Sequence, residues 1–435
     1  MANEQLKRTL TLPQLIFYGV GTMVGAGIYS VIGAAAVEAG AQLWVSFILA
    51  GIAAFLTVLS YAELVAMFPN TGAEYNFLKA AFPEQPVFSF MAGYLIAINA
   101  AATSATVALA FSGYLGVFWM APEAITALVL LSVCTVINIA GISQSTWVSI
   151  GLICIEVAGL LLLIWTGFTG GEPGTALASG DDWKAGGIFT ATALIFFIFI
   201  GFEDVANLSE ETKDPTRTVP RALLISVLIT SALYVLVAFA FIGLSANIDL
   251  GNSASPLSDA AGSVAPWRGD ALAVAALFAT ASTALISLIS ISRMLFGMAR
   301  SGDMPTLLSR TLPGRKSPWV AALVLFAAAC LLLPLGEIKI IASVSSFGVL
   351  LVFAAVQVSM IRLRLTEPDK ERPFRVPFAI GRIPVLPVVG IIMVVALLTQ
   401  FEPLVYGVGG GAIVGGLVIY WLFNKSKKKN KNSMK

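Results

Sequence analysis

The 435 residues carry 26 Lys and Arg against 24 Asp and Glu, a formal net charge of +2, and no histidine at all. Hydrophobic residues make up 58% and charged residues 11%, with a mean hydropathy of +0.89. A water-soluble domain carries about 25% charged residues, so the composition excludes one and implies a polytopic membrane protein. The missing histidine also excludes histidine-based catalysis, histidine metal ligation and a histidine proton relay.

Apolar stretches of the length that crosses a bilayer, about 20 residues, recur along the whole chain. Twelve are predicted, at 12–36, 43–68, 87–117, 124–142, 146–169, 187–208, 220–245, 270–299, 318–335, 339–363, 384–400 and 404–423. Residues 1–11 are polar (Asn3, Glu4, Gln5, Lys7, Arg8) and show no cleavage signal, so the first span is expected to be retained behind a cytoplasmic N-terminus.

The first span contains Gly19-Val-Gly-Thr-Met-Val-Gly-Ala-Gly-Ile28. Each interior glycine lowers helix stability by about 1 kcal/mol relative to alanine. A backbone group freed in hydrocarbon costs several kcal/mol unless something polar meets it. Two readings compete: a helix break whose backbone groups hold a polar ligand, or close packing through small residues. Farther on, Asn99 lies midway through the third span. Glu156 is the one acid placed deep within a span, and an ionisable group at membrane depth is by default a functional candidate. In the sixth span, Phe196-Phe-Ile-Phe-Ile-Gly-Phe-Glu-Asp204 carries a second interruption at Gly201. If spans one to five (12–169) and six to ten (187–363) are two repeats, the interrupted spans correspond, and matched interruptions point to a midplane binding site. The spans at 384–400 and 404–423 stand outside the repeats. Half-helix N-termini would offer N–H groups to a carboxylate and half-helix C-termini carbonyls to an ammonium, a pairing suited to a zwitterion.

Basic residues set the orientation. With the N-terminus in the cytoplasm, all of the 26 but Lys184, Arg268 and Lys339 fall on that side, as the positive-inside rule requires of an even number of spans. Both termini are then cytoplasmic. The lysine-rich residues 424–435 read as a disordered tail lying against anionic lipid rather than a nucleic-acid binder. Cys134, Cys154 and Cys330 lie in apolar spans and are expected to be buried thiols, with no disulfide framework and no metal site. Glu63 reads as structural, and Glu203, Asp204, Glu210, Glu211 and Asp214, ahead of Arg217 and Arg221, as a solvated loop or a cytoplasmic gate network. Tryptophans at 44, 119, 165, 183, 267, 319 and 421 lie near predicted span ends, as interfacial anchors do.

Several segments together resemble the amino acid–polyamine–organocation (APC) superfamily of transporters. They are Gly21-Thr-Met-Val-Gly-Ala-Gly-Ile-Tyr29, Tyr61-Ala-Glu-Leu64, Phe68-Pro-Asn-Thr-Gly-Ala-Glu-Tyr75, Ile200-Gly-Phe-Glu-Asp-Val205, Glu210-Glu-Thr-Lys-Asp-Pro-Thr-Arg-Thr-Val-Pro-Arg221, Ser292-Arg-Met-Leu-Phe296, Arg300-Ser-Gly-Asp-Met-Pro305 and Arg372-Pro-Phe-Arg-Val-Pro377. The resemblance implies an all-α integral membrane protein of about twelve helices with the leucine-transporter fold, two inverted five-helix repeats plus two further helices, moving amino acids through the cell membrane by alternating access. It implies no enzyme activity and no cofactor; the partners are the amino acid, a coupling ion and the lipid bilayer.

Carried over residue by residue, the resemblance places the substrate carboxylate on the backbone N–H groups of Gly25, Ala26 and Gly27. It places the ammonium on carbonyls near Met23 and Val24 and at Phe197, Ile198 and Ile200, with Phe197 as an aromatic gate. Asn99 stands where cationic-amino-acid members tend to carry an acid, which favours neutral substrates; the alternative is an asparagine bridging helices. By this register Glu156 falls where proton-coupled relatives often place a lysine in lieu of sodium, with the Gly21 carbonyl and the hydroxyls of Ser282 and Thr283 around it. The glutamate is then a proton carrier, a sodium ligand or a hydrogen-bonded structural acid. Proton-coupled uptake of neutral amino acids is the expected function, against an exchanger or uniporter, a sodium symporter, or a cationic amino acid or polyamine permease.

Overall fold

The computed structural model describes residues 8–433 apart from positions 71, 141–145, 175–184, 246–247, 252, 301 and 313–316, and for 146–149 and 424–433 the backbone alone. The first half of the described chain forms helices α1 (Leu12–Val24), α2 (Ala26–Ala39), α3 (Leu43–Met67), α4 (Ala73–Ala81), α5 (Pro86–Leu115), α6 (Glu123–Ala140) and α7 (Thr146–Gly170). The second half forms α8 (Ala185–Phe199), α9 (Phe202–Asn207), α10 (Pro215–Ser245), α11 (Pro256–Gly262), α12 (Pro266–Arg300), α13 (Trp319–Leu332), α14 (Ile338–Thr366), α15 (Val385–Leu398) and α16 (Pro403–Ser433). A two-residue hairpin, β1 (Ala379–Ile380) with β2 (Ile383–Pro384), turns through Gly381 at φ +62°. Proline opens α5, α10, α11, α12 and α16, where its missing N–H has no carbonyl to bond and its fixed φ suits the first turn.

Nine helical stretches among the described residues are long and apolar enough to cross a membrane, and three shorter apolar ones (α1, 319–335 and α15) accompany them. Each of the twelve predicted spans falls on one helix or on a broken pair. The first is the pair α1–α2, the sixth the pair α8–α9. The protein is an all-α, multi-pass architecture. Two details differ from the sequence reading. The lysine-rich end, expected to be disordered, continues α16 to Ser433; lysine is a good helix former, and extending an existing helix needs no new nucleus. The three cysteines are free, but Cys154 is exposed and Cys330 half-buried, since each lies on the outward side of its helix; Cys134 is buried as expected.

The broken pairs meet in the middle of the molecule. α2 packs on α8, α1 on α10, α3 along α10, and α5 between α12 and α14. In α8 every residue from Ala191 to Phe199 is buried, the pattern of a helix enclosed on all sides. Below it, the buried ring of Tyr61 meets Phe77, Phe202 and Phe353 edge-on, with centroids 5.4–5.8 Å apart, and fills the core on one side of the breaks.

Candidate functional site

Both breaks are built by glycine, each for a steric reason. Gly25 separates α1 from α2 at φ −44°, ψ −157°, and a Cβ added there would stand 2.8 Å from the Thr283 hydroxyl. Gly201 separates α8 from α9 at φ +123°, a conformation side chains rarely adopt, and a Cβ there would stand 2.9 Å from the Thr22 carbonyl oxygen. At Gly27 a Cβ would come within 3.1 Å of the Ile198 Cα, so the start of α2 lies against the backbone at the end of α8. Met23, Val24, Gly25, Ala26 and Gly27 are therefore brought together with Phe197, Ile198 and Ile200, although more than 160 residues separate them in sequence.

The freed backbone groups have partial partners. The Ala26 N–H donates to the Thr283 hydroxyl at 3.0 Å, and neither α2 nor α9 has a side-chain cap at its start. The Gly201 N–H donates to the Glu203 carboxylate at 2.8 Å. Ile200 N–H donates to the Phe197 carbonyl at 3.3 Å. The Tyr234 hydroxyl of α10 donates to the Met23 carbonyl at 2.5 Å, with the Ile198 carbonyl 3.3 Å away. Its one proton thus lies between carbonyls of both breaks. The Thr22 hydroxyl likewise reaches the Gly201 carbonyl at 3.0 Å and the Gly19 carbonyl at 3.1 Å, tying α1 to the second break. Tyr234 and Thr22 escaped the sequence reading. The available signal was a tyrosine in an apolar span, whose O–H must find an acceptor when buried.

Glu156 is 3% exposed on α7. Its carboxylate accepts from the Ser282 hydroxyl at 2.7 Å, and its own carbonyl accepts from the Tyr29 hydroxyl of α2, also at 2.7 Å. Ser282 and Thr283 are neighbours on α12, so one peptide unit connects the residue bonded to Glu156 with the residue bonded to the Ala26 N–H. Gly21 abuts α7, where a Cβ would stand 2.5 Å from Ile153 Cδ1, one turn before Glu156. An apolar groove of about 410 Å³ runs between α1 and α7, lined in part by Ile16, Val20, Ile153 and Val157.

Asn99 lies on α5, 6% exposed. Its side-chain oxygen accepts from the Ser345 hydroxyl of α14, and Ser345 is 3.2 Å from the Thr103 hydroxyl, so Asn99 joins α5 to α14. Phe197 is buried at 3% exposure, Ile198 at 1%, and Ile200 is half-buried.

The end of the molecule carrying α4 and α9 holds two further polar networks. Glu63 is fully buried and accepts from Arg364 side-on, through Nε at 2.8 Å and Nη2, and from the Val376 N–H at 2.8 Å, with Arg372 ion-paired at 3.3 Å. Arg372 also donates to the carbonyls of Leu363 at 3.0 Å, Glu367 at 2.8 Å and Lys370 at 2.7 Å. The Arg-Pro-Phe-Arg-Val-Pro motif thus folds the chain after α14 over a buried acid, in keeping with the structural reading of Glu63. In the second network Asn207 accepts from the N–H groups of Gly72 at 2.9 Å and Ala73 at 3.1 Å, capping α4 from α9. Buried Glu74 accepts from the Tyr61 hydroxyl at 3.0 Å, and burial pushes its carboxyl up to about 7, with Asp204 adding to the rise. The Tyr75 hydroxyl donates to Asp303, and burial together with that carboxylate raises it above the ordinary tyrosine value. The N–H groups of Thr9 and Leu10 donate to the Glu211 carbonyl at 2.8 and 3.0 Å, so the start of α1 is tied to the chain after α9.

Comparison with known proteins agrees with this architecture. A family model described as "Amino acid permease" matches residues 10–423. An uncharacterized transporter of Mycobacterium bovis is 31% identical over 422 residues, covering 96% of this chain and 91% of its own. The branched-chain amino acid permease BcaP of Bacillus subtilis is 28% identical, covering 98% and 95%. The vacuolar cationic amino acid transporter 2 of Arabidopsis thaliana is 29% identical, covering 85% and 61%. These relatives are transporters and permeases rather than enzymes. The chain belongs to the amino acid permease family of the APC superfamily.

Proposed function

We propose that this permease carries neutral amino acids across the cell membrane by alternating access, coupled to protons through Glu156. In this reading both termini are cytoplasmic, and residues 12–169 and 187–363 are inverted five-helix repeats of the leucine-transporter kind. The observation that carries it is the meeting of two broken helices. The start of α2 lies against the end of α8, with only the Thr283 hydroxyl on the Ala26 N–H, and in this reading Gly25, Ala26 and Gly27 offer N–H donors while Met23, Val24, Phe197, Ile198 and Ile200 offer carbonyls. An amino acid zwitterion matches both sets. Its carboxylate replaces the Thr283 hydroxyl on Ala26, and its ammonium takes over the carbonyls that Tyr234 reaches. Phe197 closes over the substrate.

Coupling follows from the Glu156–Ser282–Thr283 sequence of contacts. The Ser282 hydroxyl has two acceptors, the Glu156 carboxylate at 2.7 Å and the Ala279 carbonyl at 3.0 Å. When Glu156 is ionised it holds that proton; when it is protonated it donates instead, and Ser282 turns to Ala279. The change is passed to Thr283 and hence to the break. Gly21 lies on the helix that abuts Glu156. Neutral rather than cationic substrates are favoured because Asn99 carries no charge and Ile198 and Ile200 are bulky, although the named relatives include both branched-chain and cationic carriers.

The test is uptake into proteoliposomes with and without an imposed pH gradient, in sodium-free and sodium-containing buffer. Proton coupling predicts accumulation driven by an inward proton gradient without sodium. Uptake that follows sodium alone makes Glu156 a sodium ligand, and uptake indifferent to both makes the protein an exchanger or uniporter.

A further inference from the structure

The end of α7 lies beside the start of α12. There the Arg268 guanidinium stacks 4.3 Å from the ring centroid of Trp165 and 5.5 Å from that of Trp267. Both rings are about half exposed, at 49% and 56%. Indole faces attract a cation and fix its plane, but they supply no hydrogen-bond acceptor in that plane. The Nε and Nη1 atoms of Arg268 are shielded from solvent and make no hydrogen bond. No carboxylate lies within ion-pair distance either: the ion pairs among the described residues belong to Lys339, Arg364, Lys370 and Arg372. Lys339, one of the other two basic residues assigned to the same side, is held by Glu38 at 2.7 Å and Glu402 at 2.6 Å. Arg268 is therefore a flat, partly desolvated cation whose counter-anion the described protein does not supply.

Its setting says where the anion comes from. Two membrane-length helices end here with exposed tryptophans, which marks the headgroup level of a bilayer. On α7 the exposed Leu161 lies four residues before Trp165, one turn deeper on the same face. A phosphate matches a guanidinium in charge and geometry, and an acyl chain fits the apolar strip below it. We propose that Arg268, clasped by Trp165 and Trp267, binds the phosphate of an anionic phospholipid whose acyl chain lies along Leu161. The site is separate from the broken helices and does not depend on the transport reading.

The experiment follows thermal unfolding of the detergent-solubilised full chain during titration with dioleoylphosphatidylglycerol, with dioleoylglycerol and with inorganic phosphate. Phosphatidylglycerol is expected to raise the Tm of the unmodified protein, and Arg268→Gln to need about fivefold more of it for half the rise. Dioleoylglycerol, which lacks the phosphate, should act equally on both proteins. The same half-saturating phosphatidylglycerol concentration in both overturns the site, and a full rise from inorganic phosphate alone overturns its assignment to lipid. Arg268→Lys keeps the charge without the flat face, which covers a glutamine variant that fails to fold. It should also bind more weakly, and undiminished binding overturns the stacked geometry.

Discussion

Replacing Glu74 by glutamine isolates the energetic consequence of burying a carboxyl between α4 and the aromatic cluster around Tyr61. Glu74 is 3% exposed, and its carboxyl is pushed from 4.5 up to about 7, first by burial and further by Asp204. Between those two values the folded protein holds a proton that the unfolded chain releases. Stability from this group is therefore complete below about pH 4.5 and is lost as the pH rises through 7. A displacement of that size corresponds to about 3 kcal/mol. Glutamine keeps the oxygen that accepts from Tyr61 and cannot ionise. The unmodified protein should thus lose about 3 kcal/mol relative to Glu74→Gln between pH 4.5 and pH 8. With the unfolding entropy typical of a chain this long, that is a relative change in Tm of about 3 °C. The assay is thermal unfolding by tryptophan fluorescence in one detergent across that pH range. Parallel Tm profiles for the two proteins would refute the reasoning. Asp204→Asn gives an internal check: it removes a neighbour that raises the Glu74 carboxyl, so the fall in stability from Glu74 should be smaller and end at lower pH.

Four further outcomes follow from the site. Glu156→Gln keeps an acceptor for Ser282 but carries no proton, so uptake into proteoliposomes should lose most of its dependence on an imposed pH gradient; unchanged dependence removes Glu156 from the coupling. Gly27→Val places a branched side chain where even a Cβ stands 3.1 Å from Ile198 Cα, and should abolish binding of every amino acid alike in a scintillation proximity assay. Tyr234→Phe removes the proton shared between the Met23 and Ile198 carbonyls, a hydrogen bond worth about 1 kcal/mol, and should change the transport KM about fivefold at similar protein yield. In competition assays alanine-sized to leucine-sized amino acids should inhibit uptake while arginine and lysine act weakly, and Asn99→Asp should shift that selectivity toward cations; strong arginine competition in the unmodified protein refutes the neutral-substrate assignment.

The twelve spans were legible because hydropathy acts over about twenty residues at a time, and the proline at the head of five helices fixes those starts to within a few positions. The two breaks were legible for a different reason. Glycine in a membrane helix is locally costly, so glycine-bearing interruptions in the first and sixth spans mark places where the backbone itself is used. What the sequence hides is which groups meet across it. The Tyr234 hydroxyl lies 211 residues from the Met23 carbonyl it bonds, and Arg364 lies 301 residues from Glu63. No local periodicity records such pairs. The short helices α4 and α11 were missed because neither is long or apolar enough to stand out, and α4 depends on a cap from Asn207 far along the chain. Asn99 shows the opposite failure. Its polarity marked it as a substrate contact or a bridge between helices, and the fold gives it Ser345 of α14 as a partner.

The geometry also bears on how the breaks move. If α1 swung alone about Gly25, it would lose the Thr22 contact to Gly201 at 3.0 Å, the Leu10 and Thr9 bonds to Glu211, and the return bond from the Lys213 N–H to the Leu10 carbonyl at 3.0 Å. All of these join α1 to the α9 side, and α9 in turn caps α4 through Asn207. In the proposed cycle the cheaper motion would keep α1, α9 and α4 together and bend at Gly25 and Gly201 at once, because those glycines carry no side chain. That motion changes the distance between Ala26 and Thr283, and so the strain on Ser282 and Glu156. Under the proposed coupling, a proton on Glu156 and a carboxylate on Ala26 would act on the same hinge from opposite sides of one peptide unit.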